Sequence, residues 1–155
     1  MKLLSTIALL CILLSCQPEG RVYIEYQALS PQIEWLQKDS RVFEVPIEDN
    51  SKPFKMSMSF RYATGYQFQV AKVIVSELSP SGVEAVYNYQ FKVIEDNGQY
   101  IGQPGLDIWD SEHVVEASKK FDEVGVYTYK VEHAMPVDPL NYAMEVGIIL
   151  DEIKP

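Results

Sequence analysis

The stretch that decides the fold is Phe54-Lys55-Met56-Ser57-Met58-Ser59-Phe60-Arg61-Tyr62. Its apolar and polar residues alternate without a break, and successive side chains of a β-strand point to opposite faces of the sheet. The apolar side chains therefore share one face, while the lysine, serine and arginine side chains share the other. The pattern predicts a strand that is buried on one face and polar on the opposite face.

The same period of two recurs elsewhere in the chain. It is clear over residues 83–93 and 127–131, and it is shorter over residues 43–47, where Pro46 indicates an edge strand or a bulge. Turn-forming pairs such as Asn97-Gly98 separate these segments. Further candidate strands are residues 22–27, 68–78, 112–117 and 143–150.

About eight strands separated by turns, with no long helical period, predict an all-β fold. The expected architecture is an antiparallel two-sheet β-sandwich of jelly-roll or immunoglobulin-like topology. The patterning leaves room only for short helices, around residues 32–37 or 117–120.

The N-terminus has the features of an exported leader. Lys2 precedes an apolar run over residues 3–14, which is too short to span ~30 Å of hydrocarbon and is typical of a secretory signal peptide. The run ends in Leu13-Leu14-Ser15-Cys16, which resembles a bacterial lipobox, where cleavage precedes a cysteine that then carries lipid. We predict a signal peptide over residues 1–15 and lipidation of Cys16. An ordinary secretory signal with an incidental cysteine is the alternative.

The mature chain divides into a tether and a domain. Residues 16–20 are the lipidated cysteine and a short polar tether, and residues 21–155 are predicted to form a single β-sandwich domain. A cysteine with two or three acyl chains meets the requirement of stable anchoring for more than one chain. The lipid bilayer is therefore an expected partner, through acylated Cys16. The expected location is the cell envelope, anchored by lipid at the outer membrane and facing the periplasm.

Composition excludes several functional classes. Loss of Lys2 leaves 12 of the 13 basic residues against 22 acidic ones, a formal charge of −10. This excess argues against nucleic acid and against an electrostatic hold on anionic lipid, because both need clustered Lys and Arg. With Cys11 removed and Cys16 acylated, no free thiol remains. Zinc-finger, iron–sulfur and cysteine-nucleophile sites are thereby excluded, and no cofactor is expected.

The two histidines are weak candidates for chemistry. His113 and His133 each lie in a candidate strand without a ligand partner at metal spacing. Together with carboxylates they could hold zinc in a small hydrolase, but a partly exposed sheet position is the preferred interpretation. The chain also has no Gly-x-Ser-x-Gly motif and no phosphate-binding glycine loop. We therefore predict no catalytic residue, no metal site and no enzymatic activity.

Residues 102–112 are the segment richest in candidate functional residues. Their acidic side chains could bind calcium, but their order differs from that of an EF-hand loop. Asp107 and Asp110 could also form a glycosidase pair beside Trp109, although carboxylates so close in sequence seldom frame a substrate cleft. We interpret the segment as a loop that contacts a partner. Its candidate contact residues are Gly102, Gly105, Asp107, Trp109 and Asp110.

Several short motifs are distributed over essentially the whole chain. They are the lipobox, Arg21-Val22-Tyr23-x-x-Tyr26, Trp35, Gly102-x-x-Gly105-x-Asp107-Ile108, Phe121-x-x-x-Gly125-x-Tyr127, and the closing Ala134-Met135, Pro139-Leu140 and Val146-Gly147. In their order and spacing they resemble the GldH family of gliding-motility lipoproteins from Bacteroidetes. None of these motifs is a catalytic signature.

The resemblance implies a membrane-anchored, non-enzymatic lipoprotein that is required for gliding and is associated with type IX secretion. Its partners would be other proteins of the gliding or secretion machinery, contacted through an exposed sheet face or loop. The alternative is a surface glycan-binding lipoprotein. That alternative rests on the aromatic side chains, which include Trp35, Trp109 and ten tyrosines and could form a carbohydrate-binding face.

Overall fold

The computed structural model describes residues 20–153, so the predicted signal peptide and the predicted lipidation at Cys16 lie outside the described residues. Its regular elements are strands, and within this range no helix could cross a membrane. The strands are β1 Arg21–Ala28, β2 Glu34–Trp35, β3 Arg41–Ile47, β4 Phe54–Ala63, β5 Val70–Leu78, β6 Glu84–Lys92, β7 Gln103–Pro104, β8 Ile108–Lys119, β9 Gly125–His133, β10 Leu140–Asn141 and β11 Ala143–Glu152.

The strands form two main antiparallel sheets. One has the order β1-β11-β4-β8-β7 and the other the order β3-β9-β5-β6, while β10 pairs only with β2. The eight strands of seven or more residues pair as nested hairpins, first with eighth, second with seventh, third with sixth and fourth with fifth. This nesting is the jelly-roll arrangement. The predicted all-β antiparallel sandwich is confirmed, and of the two expected topologies the structure has the jelly roll.

Strand β4 lies at the centre of the five-stranded sheet, between β11 and β8. Its alternating apolar residues all face the other sheet, and none is more than 5% exposed. From the four-stranded sheet, Phe43, Val75 and Val131 are each 0% exposed within the same core. The core therefore lies between the two sheets, as the period-two pattern predicts.

Two local expectations have opposite outcomes. The edge position indicated by Pro46 is confirmed, because β3 is an outer strand of its sheet. The prediction of short helices is wrong, because Glu34–Trp35 is strand β2 and β8 continues to Lys119. The cause is tertiary pairing: β2 bonds with β10, and the end of β8 bonds with the start of β4.

Each end of the sandwich holds a different set of strand termini. We call the end where β1 begins the near end; it also holds the start of β4 and the close of β11, since Arg21 pairs with Asp151 and Asp151 with Lys55. The opposite, far end holds the pair Ala63 and Ile108. Ten residues of β4 separate the two ends, a distance of about 30 Å at the usual rise per residue.

Gly147 of β11 lies between β1 and β4, and the Tyr26 ring packs against it. It pairs with Tyr26 of β1 and Ser59 of β4. A Cβ atom at this position would meet Ser59 Oγ, and it would lie 2.5 Å from Tyr26 Cδ1 and 2.7 Å from the Glu25 carbonyl oxygen. The Tyr26 ring therefore covers a residue that has no side chain, an arrangement that also supports other glycines in sheets.

We expect Gly147→Ala to lower the free energy of unfolding by about 3 kcal/mol, because the added methyl group meets backbone as well as side-chain atoms. Urea-induced unfolding would measure the change. Gly105→Ala is the matched control, since its Cβ would lie no closer than 3.3 Å to any neighbour. Equal stability of the two variants would contradict the close approach of β1 to β11.

Candidate contact surface

Residues 102–112 form a hairpin, not the loop that the sequence analysis predicts. Gln103 and Pro104 pair with Asp110 and Trp109, and the Gly105 amide donates a 2.6 Å hydrogen bond to the Ile108 carbonyl oxygen. Trp109 and Asp110 therefore belong to strand β8, because the backbone of β7 completes the ladder beside them. Only Gly105, Leu106 and Asp107 form the turn between the two strands.

Gly102 has a structural role in this hairpin. Its φ is +128°, and a Cβ atom there would meet the carbonyl oxygen of Asp110 and lie 2.7 Å from the carbonyl carbon. Any side chain would therefore push β7 away from β8. The hairpin turn is placed at the far end of the sandwich, where the Leu106 side chain is fully exposed.

A chain of backbone hydrogen bonds joins the hairpin to other far-end segments. Thr64 N donates to Asp107 O at 2.9 Å, and Ala63 N donates to Tyr142 O at 2.9 Å. Tyr142 N in turn donates to Ile33 O at 2.8 Å. Four segments that are distant in sequence are thus held together at this end. We call Ile33, Leu106 and Tyr142 the far-end surface.

Two members of the far-end surface have a strained backbone. Ile33 has a φ of +57° and Tyr142 a φ of +66°, the left-handed region that L residues avoid and that is least favourable for a β-branched side chain. These residues are 39% and 40% exposed, so core packing does not explain why an isoleucine and a tyrosine occupy the two positions. The Tyr142 ring lies against Gly65, where a Cβ would be 3.0 Å from Cε1. Sequence patterning contains no signal for either conformation.

The outward face of the five-stranded sheet carries ion pairs between strands. Arg61 of β4 contacts the Asp110 carboxylate at 2.6 and 3.2 Å and Glu145 at 3.5 Å. These pairs are solvent-exposed, so each contributes at most about 1 kcal/mol to stability. The predicted contact residue Asp110 is therefore occupied by an intramolecular partner.

Arg21 extends across the same face. Its guanidinium contacts Asp151 at 2.9 Å and Glu112 at 3.3 Å, although β11 and β4 lie between β1 and β8. Ile149 and Ser57, an outward-facing pair on the two intervening strands, are 0% exposed. Burial opposes ionisation of Asp151, but hydrogen bonds from Arg21 and Lys55 outweigh that effect and lower the pKa of the Asp151 carboxyl.

A shallow depression of about 440 Å³ lies between these ion pairs. Two of its lining residues are serines, and the hairpin contributes Gln103 and Asp110. The lining residues are Tyr26, Ser59, Arg61, Gln103, Asp110, Ser111, Glu112 and Glu145. Arg61 is the one cationic side chain of this lining and is paired with both Asp110 and Glu145, and Glu112 also lines the depression, so its surface is polar and negative on balance.

Trp109 does not have both ring faces free for a sugar. Its ring stacks on Tyr100 with centroids 5.2 Å apart, and its indole N–H donates a 3.3 Å hydrogen bond to Thr64 Oγ1. Asp107 lies in the hairpin turn, whereas Asp110 is bound by Arg61. Of the three residues considered for a glycosidase site, Trp109 and Asp110 therefore have intramolecular partners on the sheet, and Asp107 lies in the turn.

The two histidines lie in different sheets. His113 of β8 stacks on Phe91 at 4.5 Å, and His133 at the end of β9 meets the edge of Trp35 at 5.4 Å. Burial lowers the pKa of His113 to about 4, and burial also lowers the pKa of His133. Over residues 20–153, no group of three or more His, Cys, Asp or Glu residues could hold a metal ion.

The residues that carry the family resemblance divide into two groups. Arg21, Tyr26 and Gly147 lie on the outward face of the five-stranded sheet, where Tyr26 pairs with Gly147 and Arg21 with Asp151. The others belong mainly to the core or to its turns, and among them Trp35, Phe121, Tyr127, Met135 and Leu140 are buried. Most of the resemblance is therefore accounted for by packing.

The fold defines the class of protein, which is an antiparallel jelly-roll β-sandwich domain. The chain matches the family model described as GldH lipoprotein over residues 21–150. It therefore belongs to the GldH lipoprotein family, and it is a lipoprotein of the cell envelope.

Two relatives support this assignment. The gliding motility lipoprotein GldH homolog of Christiangramia forsetii is 29% identical over 125 residues, which cover 80% of this chain and 75% of that protein. The gliding motility lipoprotein GldH of Flavobacterium johnsoniae is 28% identical over 149 residues, which cover 91% of this chain and 90% of that protein.

We expect the buried His113 to make stability depend on pH. Its pKa is about 4 in the folded chain and about 6.5 when unfolded, so the unfolded state binds more protons between these values. The free energy of unfolding should therefore fall as the pH falls from 6.5 to 4, by at most about 3 kcal/mol because solvent partly screens the half-buried ring, and His113 should cause no further change below pH 4.

His113→Phe is the matched variant, because it retains an aromatic ring against Phe91 and removes the titration. Urea unfolding of both proteins from pH 7 to pH 4 would isolate the effect, since His133 and the carboxylates are common to both. A constant difference in stability across this range would contradict the assignment.

Proposed function

We propose that this chain is a membrane-anchored, non-enzymatic lipoprotein of the gliding-motility apparatus, associated with type IX secretion, that acts by binding other proteins of that machinery. In this proposal residues 1–15 are a signal peptide, Cys16 carries the lipid, and residues 21–155 are one domain at the outer membrane facing the periplasm. Support comes from family membership and from relatives that are named gliding motility lipoproteins.

The length of the tether orients the domain. Cys16 precedes Gly20 by four residues, so it lies at most ~14 Å away from Gly20 even if the chain is fully extended. The Gly20 carbonyl oxygen accepts a 2.7 Å hydrogen bond from Glu152 N, which fixes the start of the domain to its last strand. The near end therefore faces the bilayer, and the far end is directed away from it.

The observation that carries the proposal is the strained, exposed pair at the far end. A non-glycine residue in the left-handed region costs about 1–3 kcal/mol and is retained where surrounding contacts enforce it, often at functional sites. Ile33 and Tyr142 combine this cost with half-exposed apolar side chains, beside the fully exposed Leu106. We assign partner binding to this far-end surface.

Removal of the lipid acceptor should separate anchoring from folding. We expect Cys16→Ala to leave the unfolding temperature of the purified chain unchanged, because the first strand of the sandwich begins at Arg21, but to release the protein from the membrane fraction and reduce colony spreading. Fractionation and spreading assays in a gliding host lacking its own copy would test this. Normal spreading in a strain with no copy at all would remove the gliding assignment.

Ile33→Asn should stabilise the fold and impair function. Asparagine tolerates a positive φ better than isoleucine, so we expect the free energy of unfolding to rise by about 1 kcal/mol. Spreading and crosslinking to envelope partners should fall because an apolar contact is lost. Val42→Asn is the matched control: Val42 is β-branched and 47% exposed, but it lies on β3 outside the far-end surface.

The two variants are expected to differ in function. Val42→Asn should leave spreading and crosslinking unchanged while stability stays within about 1 kcal/mol of the parent. Full spreading and crosslinking by a stable Ile33→Asn protein would show that partners bind elsewhere.

A further inference from the structure

The near end of the four-stranded sheet exposes apolar side chains that no other described segment covers. Val83, Val124 and Val126 are 66%, 55% and 50% exposed, and Leu78 is 39% exposed. Pro46 and Pro80 are exposed beside them. We call these six residues the near-end patch: Pro46, Leu78, Pro80, Val83, Val124 and Val126.

The members of the patch lie at the ends of neighbouring strands and in the turns that follow or precede them. Pro46 pairs with Val126 across β3 and β9, and Pro80 lies against Gly125, where a Cβ atom would be 2.7 Å from Pro80 Cγ. The turns that hold Val83 and Val124 are tied together, because Ser81 Oγ donates a 2.6 Å hydrogen bond to Glu123 Oε1. Pro46, Val126 and Leu78 thus share the outward face of the sheet, since Leu78 pairs with Thr128 of β9, while Val83 and Val124 lie in two turns that this hydrogen bond joins at the same end.

The tether determines what this patch can meet. Ile47 pairs with Gly125, and Ile47 lines one depression together with Phe54 and Glu152, so this end of the four-stranded sheet is at the near end. Gly20 lies there also, since Glu152 N donates to its carbonyl oxygen. A lipid on Cys16, at most ~14 Å from Gly20, would hold this end at the bilayer surface.

We propose that the near-end patch inserts into the headgroup region of the bilayer and sets the orientation of the domain on the membrane. This inference rests on the lipid anchoring proposed above and adds to it a second contact, made by the folded domain itself. The occupant of the patch is the lipid surface.

The charges around the patch specify the kind of lipid. Glu44, Glu84 and Glu123 flank the patch and outnumber Lys120, the lysine beside Val83, so an anionic surface would repel this end, whereas a zwitterionic surface would not. The contact is therefore apolar and interfacial in character. It need not be strong by itself, because the tether keeps the patch at a high effective concentration near the bilayer.

The mature chain is well suited to a test by site-specific labels. Its only cysteine is Cys16, which is acylated in this proposal, so a single introduced cysteine can carry an environment-sensitive fluorophore. Val126→Cys places the label in the patch. Leu106→Cys places it at the far end, and Val114→Cys, at a residue 56% exposed on the five-stranded sheet, places it between the two ends.

The lipidated proteins would be reconstituted into phosphatidylcholine vesicles that contain nitroxide-labelled acyl chains. We expect roughly threefold stronger quenching at position 126 than at positions 106 and 114, because an interfacial side chain lies ~5–10 Å into the headgroup boundary. Replacing part of the phosphatidylcholine by phosphatidylglycerol should reduce quenching at position 126. Unfolding curves would confirm that each labelled protein is folded.

The outcomes separate the two proposals. Folded protein that floats with the vesicles but is quenched equally at all three positions overturns the patch inference and leaves the anchor intact. Folded protein that carries no acyl chain by mass spectrometry and does not float overturns the anchor, and the patch inference with it. Stronger quenching at position 106 than at 126 reverses the orientation and overturns the inference alone.

Discussion

The register of β4 is the constraint on which the other features of this sandwich depend. Its apolar row is buried completely, so a shift of one residue against either neighbour would move that row to the outward face. The same register places Lys55 beside Asp151, and it places Arg61 beside Glu145 and Asp110. The ion pairs of the outward face are thus a consequence of how the core is packed, and they need no strong attraction of their own.

Sequence patterning predicted the parts of the fold that are set by burial along one strand. The long strands were predictable because each has an apolar row, and the edge position of β3 because Pro46 cannot donate a backbone hydrogen bond. The two-residue strands β2 and β10 were not predictable, since nothing in Glu34-Trp35 or Leu140-Asn141 identifies a partner more than a hundred positions away. The short-helix expectations failed for the same reason.

The candidate site was predictable only in part. Residues 102–112 were identified from their composition, and the structure places their turn in the far-end region, but Gly102 supports the hairpin and Asp110 is paired with Arg61. Ile33 and Tyr142 carry no local signal, because their positive φ values are imposed by backbone hydrogen bonds to other segments. The contact role proposed for them was therefore accessible only from the three-dimensional structure.

The pairing of the first and last long strands has a consequence for how the chain is made. Arg21 and Asp151 are 130 positions apart, and β1 has no neighbour in its sheet other than β11. The N-terminal strand cannot dock until the C-terminal strand has been synthesised, so many non-local contacts must form late and folding is expected to be slow. In the proposed export of this chain, the late docking of β1 would keep the chain unfolded while it is threaded through a translocation pore.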